Sequence, residues 1–129
     1  MHTFALELFG AVRGHVPVYK LVIAGACPLD EFWTEIEHQG NLAPQLRKAI
    51  TIIERHALGL HLPSTLFKRI SVKKDPVNMY EVKTRDLRIY LFRNSAGAII
   101  VSGGKKSTQK RDIEHFRNLT HRYVQQTTP

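Results

Sequence analysis

The sequence predicts an α+β domain: N-terminal strands and a helical hairpin packed on a mainly antiparallel sheet, with a C-terminal helix. Three observations carry that expectation. The chain has 129 residues, a length that one hydrophobic core serves and that leaves little room for a second domain. Apolar residues recur at helical spacing from Phe32 to Ala57 and again from Ile113 to Tyr123. Between them, from Leu66 to Val101, the pattern changes to short alternating or continuous apolar runs bounded by turn residues. With 43% hydrophobic and 23% charged residues the composition is that of a chain that folds, not of a disordered one.

In chain order, Phe4, Leu6 and Leu8 alternate along Thr3 to Leu8, as on one side of an extended strand. Gly10 to Pro17 breaks the pattern, and Val18 to Ile23 is rich in β-branched residues, so the two stretches can form a hairpin. Pro28 with Asp30 opens a helix whose apolar stripe is Phe32, Trp33 and Ile36, and Gly40-Asn41 is read as its end. A second helix runs from about Ala43 to Leu58 on Leu46, Ile50, Ile53 and Ala57, closed by Gly59. Leu66 to Ser71, Tyr80 to Arg85, Leu87 to Phe92 and Ala98 to Val101 are the expected later strands, with Asn94 to Gly97 a tight turn. Lys110 to Val124 is the last helix, and Gln125 to Pro129 is expected to fray.

Charge narrows the function. Lys and Arg number 19 against 11 Asp and Glu, a formal +8, which favours encounter with a polyanion. Twelve of the 19 lie between Lys68 and Arg111, against three acidic residues, Asp75, Glu81 and Asp86. Alternation in a strand would send Glu81, Lys83 and Arg85 to one face and Tyr80, Val82 and Thr84 to the other, leaving a cationic open face opposite the helices. Cys27 is the only cysteine, so a disulfide framework and a thiolate zinc site are both out, and a reducing cytoplasm fits. No apolar run approaches the ~20 residues of a membrane helix, and Met1-His2-Thr3 lacks the basic start of an export signal.

Gly103-Gly104-Lys105-Lys106-Ser107-Thr108-Gln109-Lys110 stands between the last strand and the last helix. It lacks P-loop spacing, but its glycines allow a sharp turn that presents Lys105, Lys106 and the hydroxyls at the edge of the basic face. The order of parts is more specific than the loop. Tyr-Glu-Val-Lys-Thr-Arg-Asp, Leu-Arg-Ile-Tyr-Leu-Phe, Ile-Ile-Val-Ser-Gly-Gly-Lys-Lys-Ser-Thr-Gln-Lys, then Asp-Ile-Glu and a helix ending in Arg-Tyr resembles the toxin half of RelE/HigB toxin–antitoxin systems. Within that family the phage-derived HigB-like branch is nearest. The motifs span Met79 to Tyr123, about 45 residues; the first half has the family's element order without diagnostic residues.

The resemblance implies a metal-independent endoribonuclease that uses no cofactor and cleaves mRNA, typically on the ribosome, and that a cognate antitoxin of acidic or helix-turn-helix character holds inactive. RNA supplies its own nucleophile, the ribose 2′-hydroxyl, so such a protein orients the groups, stabilises the crowded phosphate and moves protons. Arg85 matches the arginine that contacts the scissile phosphate, and Lys106 the basic residue after the last strand. Lys73 and Lys74 lie in the segment that supplies basic residues in RelE-like members; Lys83, Arg88, Lys105 and Lys110 complete the expected RNA-binding set. Where active relatives place a Tyr or His after the basic loop this chain has Asp112, so His115 is taken as the proton-transfer group, with His121 its neighbour in sequence.

Other residues carry ordinary readings. Phe32 and Trp33 lie on an apolar stripe and are read as packing, as is Tyr123. His56 and His61 flank a helix end, where a cation is favourable. No set of residues has metal-ligand spacing, and Cys27 has no base partner in sequence. The alternative to a nuclease is a non-catalytic RNA- or protein-binding module on the same fold, such as a degenerate toxin or a protein of a phage or mobile element.

Overall fold

A computed structural model describes residues 3–127. Met1 and His2, part of the stretch read for an export signal, and Thr128 and Pro129, the end of the expected frayed tail, lie outside them.

The expected fold class is what the chain adopts. Strands β1 (Phe4–Leu8) and β2 (Val18–Ile23) form an antiparallel hairpin, followed by helices α1 (Pro28–Ile36) and α2 (Ala43–Ala57). Strands β3 (Phe67–Arg69), β4 (Asn78–Lys83), β5 (Leu87–Asn94) and β6 (Gly97–Lys105) follow, then a single 3₁₀ turn (Lys106–Thr108) and helix α3 (Gln109–Thr127). The six strands lie in the order β1-β2-β6-β5-β4-β3, antiparallel except for the parallel pairing of β2 with β6.

Local chemistry sets the helix boundaries. Pro28 starts α1, Asp30 and Glu31 sit in its first turn, and Leu29, Phe32 and Ile36 are buried. The helix stops at Ile36, short of the expected Gly40-Asn41, because Gln39 and Leu42 close successive turns onto Ile36 and Gln39 carbonyls. At the end of α2 Gly59 adopts φ +80°, its N–H donates to His56 O and that of Leu60 to Arg55 O, the paired bonds of a Schellman cap.

Helices cover both faces of the sheet, which overturns the expectation of one helical layer and an open cationic face. On one face Val82, Leu87, Ile89, Leu91, Ala98 and Ile100 pack against α1 and α2 through Leu29, Phe32, Ile36, Leu46 and Ile53. On the other, Leu21, Met79, Tyr90, Phe92, Ile99 and Val101 pack against Phe116, Leu119 and Tyr123 of α3. Leu87 to Phe92 and Gly97 to Val101 are buried without a break, the signature of central strands covered on both sides. Tyr123 is core, as expected.

Several boundaries differ from expectation. The stretch read as a strand from Leu66 to Ser71 is β only over Phe67–Arg69, and Arg85 lies in a turn beyond β4. The final strand runs four residues past Val101, so Gly103, Gly104 and Lys105 belong to β6 and not to a loop. Gln125 to Thr127 of the expected tail are the last turn of α3.

Candidate functional site

Three pieces of chain meet at one end of the sheet: the β4–β5 turn, the end of β6 with its 3₁₀ turn, and the α1–α2 connection. The Lys106 N–H donates to Asp86 O at 2.8 Å, fastening the 3₁₀ turn to the β4–β5 turn. Gln45, in the first turn of α2, clamps the same turn from below. Its Oε1 accepts from the Asp86 N–H at 2.7 Å and from the Thr84 hydroxyl at 2.8 Å, while its Nε2 donates to the Asp86 carboxylate at 2.7 Å. Between these pieces lies a cleft of about 280 Å3 lined by Gln39, Asn41, Leu42, Asp86, Lys105 and Lys106.

This corner brings together the two residues on which the sequence reading rests most. Arg85 tops the β4–β5 turn with its side chain 90% exposed; its ion pair to Asp86 is long at 3.8 Å. Lys106 is exposed on the adjoining turn, held there through its backbone, and Lys105 precedes it, half-buried. Lys83 ends β4 just before the turn, and Lys110 stands exposed in the first turn of α3 beside Ser107, Thr108 and Arg111. Guanidinium and ammonium groups displayed in this way suit a phosphate, the first through two parallel donors and the second as a point charge.

Other expected site residues lie elsewhere. Arg88 is 5% exposed and does not reach solvent as an RNA contact would; its guanidinium folds back toward the β4–β5 turn and donates to Thr84 O at 2.6 Å and Leu87 O at 2.8 Å. The reason is the double covering of β5, which leaves no open face for it. Lys73 and Lys74 lie in the β3–β4 loop, beyond the opposite end of β4 from Arg85, and β4 itself is about 17 Å long at ~3.3 Å per residue. His115 is exposed on α3, and among the described residues no hydrogen bond or ion pair holds it at the corner. His121 is bound at the far end of the sheet, where its Nε2 lies 3.1 Å from an oxygen of Asp75.

Beneath the first turn of α3 lies a polar cluster that the sequence did not announce. Glu81, 1% exposed, accepts from Gln109 Nε2 at 2.7 Å, and its strand partner Tyr90 has a phenol that burial and the Glu81 carboxylate push well above the usual range. Asp112 accepts from the Thr108 hydroxyl at 2.6 Å. The end of β6 passes through a slot here: a Cβ on Gly104 would overlap the Asp112 carboxylate, and one on Gly103 the Phe32 ring. These glycines therefore let α1 and α3 close on both sides of the strand, beyond the freedom to turn expected of them.

The functional residue the sequence missed is Gln45. A polar residue one position before a buried Leu46 gives no signal in periodicity, because its partner lies about 40 positions later in the chain.

The remaining residues are structural. Phe32 is buried and Trp33 packs edge-on against Phe9. His61 is exposed past the end of α2. His56 is not the helix-end cation expected: burial and the nearby Arg93 charge lower its pKa to about 4, and it stacks on Phe67 with Nε2 3.0 Å from the Arg93 guanidinium. Burial pushes the Cys27 thiol up, away from the reactive thiolate. Among the described residues no three His, Cys, Asp or Glu side chains are placed to hold a metal ion, and no helix is long and apolar enough to cross a membrane.

No family model matches the chain, and neither a curated protein nor a solved structure matches it.

Proposed function

We propose that the protein is a metal-independent endoribonuclease that cleaves mRNA, the toxin of a toxin–antitoxin pair, acting through the cationic corner. One observation carries the reading: the Lys106 N–H to Asp86 O bond and the Gln45 clamp hold the exposed Arg85 and Lys106 on adjoining turns. The motif order from Met79 to Tyr123 supports the same reading through its resemblance to RelE/HigB toxins. In the reaction the 2′-oxygen forms a bond to the adjacent phosphorus and the bond to the 5′-oxygen breaks, leaving a 2′,3′-cyclic phosphate and a 5′-hydroxyl. The proton of the 2′-hydroxyl departs and the 5′-oxygen gains one. Arg85 and Lys106 stabilise the extra negative charge on phosphorus, a role whose loss costs about 10²–10³ in rate for a single donor. The protein works in the cytoplasm on mRNA at the ribosome, and its antitoxin covers this corner.

A second reading, a non-catalytic RNA- or protein-binding module, has a specific observation in its favour. Asp112, which stands where relatives carry the proton-transfer residue, has its carboxylate committed to Thr108, and exposed His115 is not fastened at the corner. One experiment separates the two. Purified protein is mixed with 5′-labelled RNA in EDTA, and binding and product ends are followed. Cleavage to cyclic-phosphate ends, abolished in Arg85→Ala and Lys106→Ala while circular dichroism is unchanged, supports the nuclease. Salt-sensitive binding by wild type without cleavage supports the module, and RNA binding that is absent or indifferent to both substitutions sinks both RNA readings.

A further inference from the structure

Between Leu66 and Arg85 the chain carries six cations, Lys68, Arg69, Lys73, Lys74, Lys83 and Arg85, and two carboxylates, Asp75 and Glu81. The structure withdraws both carboxylates from the surface. Glu81 is 1% exposed and hydrogen-bonded to Gln109 of α3. The Asp75 side chain is 3% exposed; it accepts from the Val72 N–H at 2.7 Å and Arg117 at 2.8 Å, with His121 at 3.1 Å. Burial alone would raise the Asp75 pKa, but these three partners outweigh it and hold the carboxylate below its usual range. The cations stay outside: Lys68, Lys73, Lys74 and Arg85 are exposed and Lys83 is half-exposed. Of these five only Arg85 has a carboxylate within ion-pair distance among the described residues.

Their placement follows a line. Phe67 and its partner Val82 face the α1–α2 core, so alternation sends Lys68, opposite Glu81, and Lys83 to the other face. On that face Met79 and Glu81 of β4 lie beneath α3, while Lys68 stays exposed at the β3 edge and Lys83 half-exposed at the end of β4. Lys83 adjoins the Arg85 turn, Lys68 comes next along the edge, and Lys73 and Lys74 follow in a loop that Asp75 pins to α3 through Arg117 and His121. The run covers the length of β4, about 17 Å.

We propose that this edge is a track for single-stranded RNA, leading from Lys73 and Lys74 past Lys68 and Lys83 to the corner where Arg85 and Lys106 hold the phosphate. The inference rests on the RNA reading of that corner and extends it: the ligand is a strand several nucleotides long, held by its phosphates without regard to base. Lysines on an edge strand also guard against edge-to-edge aggregation, a role that would need no RNA.

Fluorescence anisotropy with a labelled uridine trinucleotide and a labelled nonauridylate, over a salt series, tests the track. Wild type should bind the nonamer more tightly than the trimer. Lys68→Ala/Lys73→Ala/Lys74→Ala should weaken the nonamer about tenfold and lower its salt slope by about 2, near 0.7 for each phosphate deprived of its lysine, while leaving the trimer unchanged. Arg85→Ala/Lys106→Ala should weaken both. A triple variant that binds the nonamer with wild-type affinity and slope, whether or not it aggregates, overturns the track and leaves the corner intact. Wild type that binds neither oligonucleotide overturns the corner and the track together.

Discussion

Replacing Gln45 with Ala tests whether the cationic corner is built from below. The side chain makes three short hydrogen bonds to one turn: from the Asp86 N–H at 2.7 Å, from the Thr84 hydroxyl at 2.8 Å and to the Asp86 carboxylate at 2.7 Å. The two neutral bonds contribute about 1 kcal/mol each in net terms. A bond to a carboxylate is roughly twice as strong, but the Asp86 side chain is 44% exposed, so about 1 kcal/mol remains after solvent screening. The sum, about 3 kcal/mol, corresponds in a chain of this length to a drop in Tm of roughly 10 °C. Urea unfolding followed by circular dichroism should show a lower midpoint with an unchanged slope. Gln45→Glu separates the roles: it keeps an acceptor for the Asp86 N–H but sets a carboxylate against the Asp86 carboxylate, so it should be destabilised at neutral pH and recover as the pH falls toward about 4. RNA affinity should fall in Gln45→Ala below the unfolding temperature, because the turn that displays Arg85 loses its seat. Gln45→Ala within about 0.5 kcal/mol of wild type, the range of an ordinary surface substitution, would refute the clamp.

Two further outcomes follow from the packing. Gly104→Ala drives a Cβ into the Asp112 carboxylate and should cost about 1–3 kcal/mol by overpacking; the same substitution in an Asp112→Ala background should cost clearly less, and equal costs in the two backgrounds would rule out that contact as the cause. His56 has a folded pKa of about 4, set by burial and then by Arg93, against 6.5 when free. The unfolded state therefore binds the proton first, and stability is lost as pH falls from about 6.5 toward 4. The full shift, discounted for the partial exposure of the ring, amounts to roughly 1–2 kcal/mol. His56→Phe, which keeps the stack on Phe67, should flatten that window, and a wild-type stability constant from pH 7 to 4.5 would contradict the assignment.

What the sequence revealed and what it hid divide along a physical line. Elements with a strong local signal were legible: the two α-helices, the first with its proline start, the Gly59 cap, the Asn94-to-Gly97 turn, and the adjacency of Arg85 and Lys106, which follow β4 and β6, the two strands that flank β5 in one meander. Properties set by partners far along the chain were not. Leu87 to Phe92 is apolar at both strand parities apart from Arg88, and that pattern signals a strand covered on two sides. Weighing it above the alternation of Tyr80 to Arg85 would have removed the open cationic face and placed Arg88 inside. Gln45 and Glu81 have no pattern to betray them, since each acquires its role from a residue brought up only by the fold.

The double covering also constrains where any nucleic acid can sit. With α1 and α2 on one side and α3 on the other, the central strands offer no surface, and the sheet's own positive charge reaches solvent only where strands end or where the sheet stops. The Arg85–Lys106 corner is such an end, and β3 with its following loop is such an edge. Burial of Asp75 and Glu81 leaves that edge without compensating negative charge, a state that costs self-repulsion unless a polyanion relieves it. The fold therefore trades the broad basic face suggested by strand alternation for a narrow cationic rim, a shape better matched to one extended strand than to a duplex.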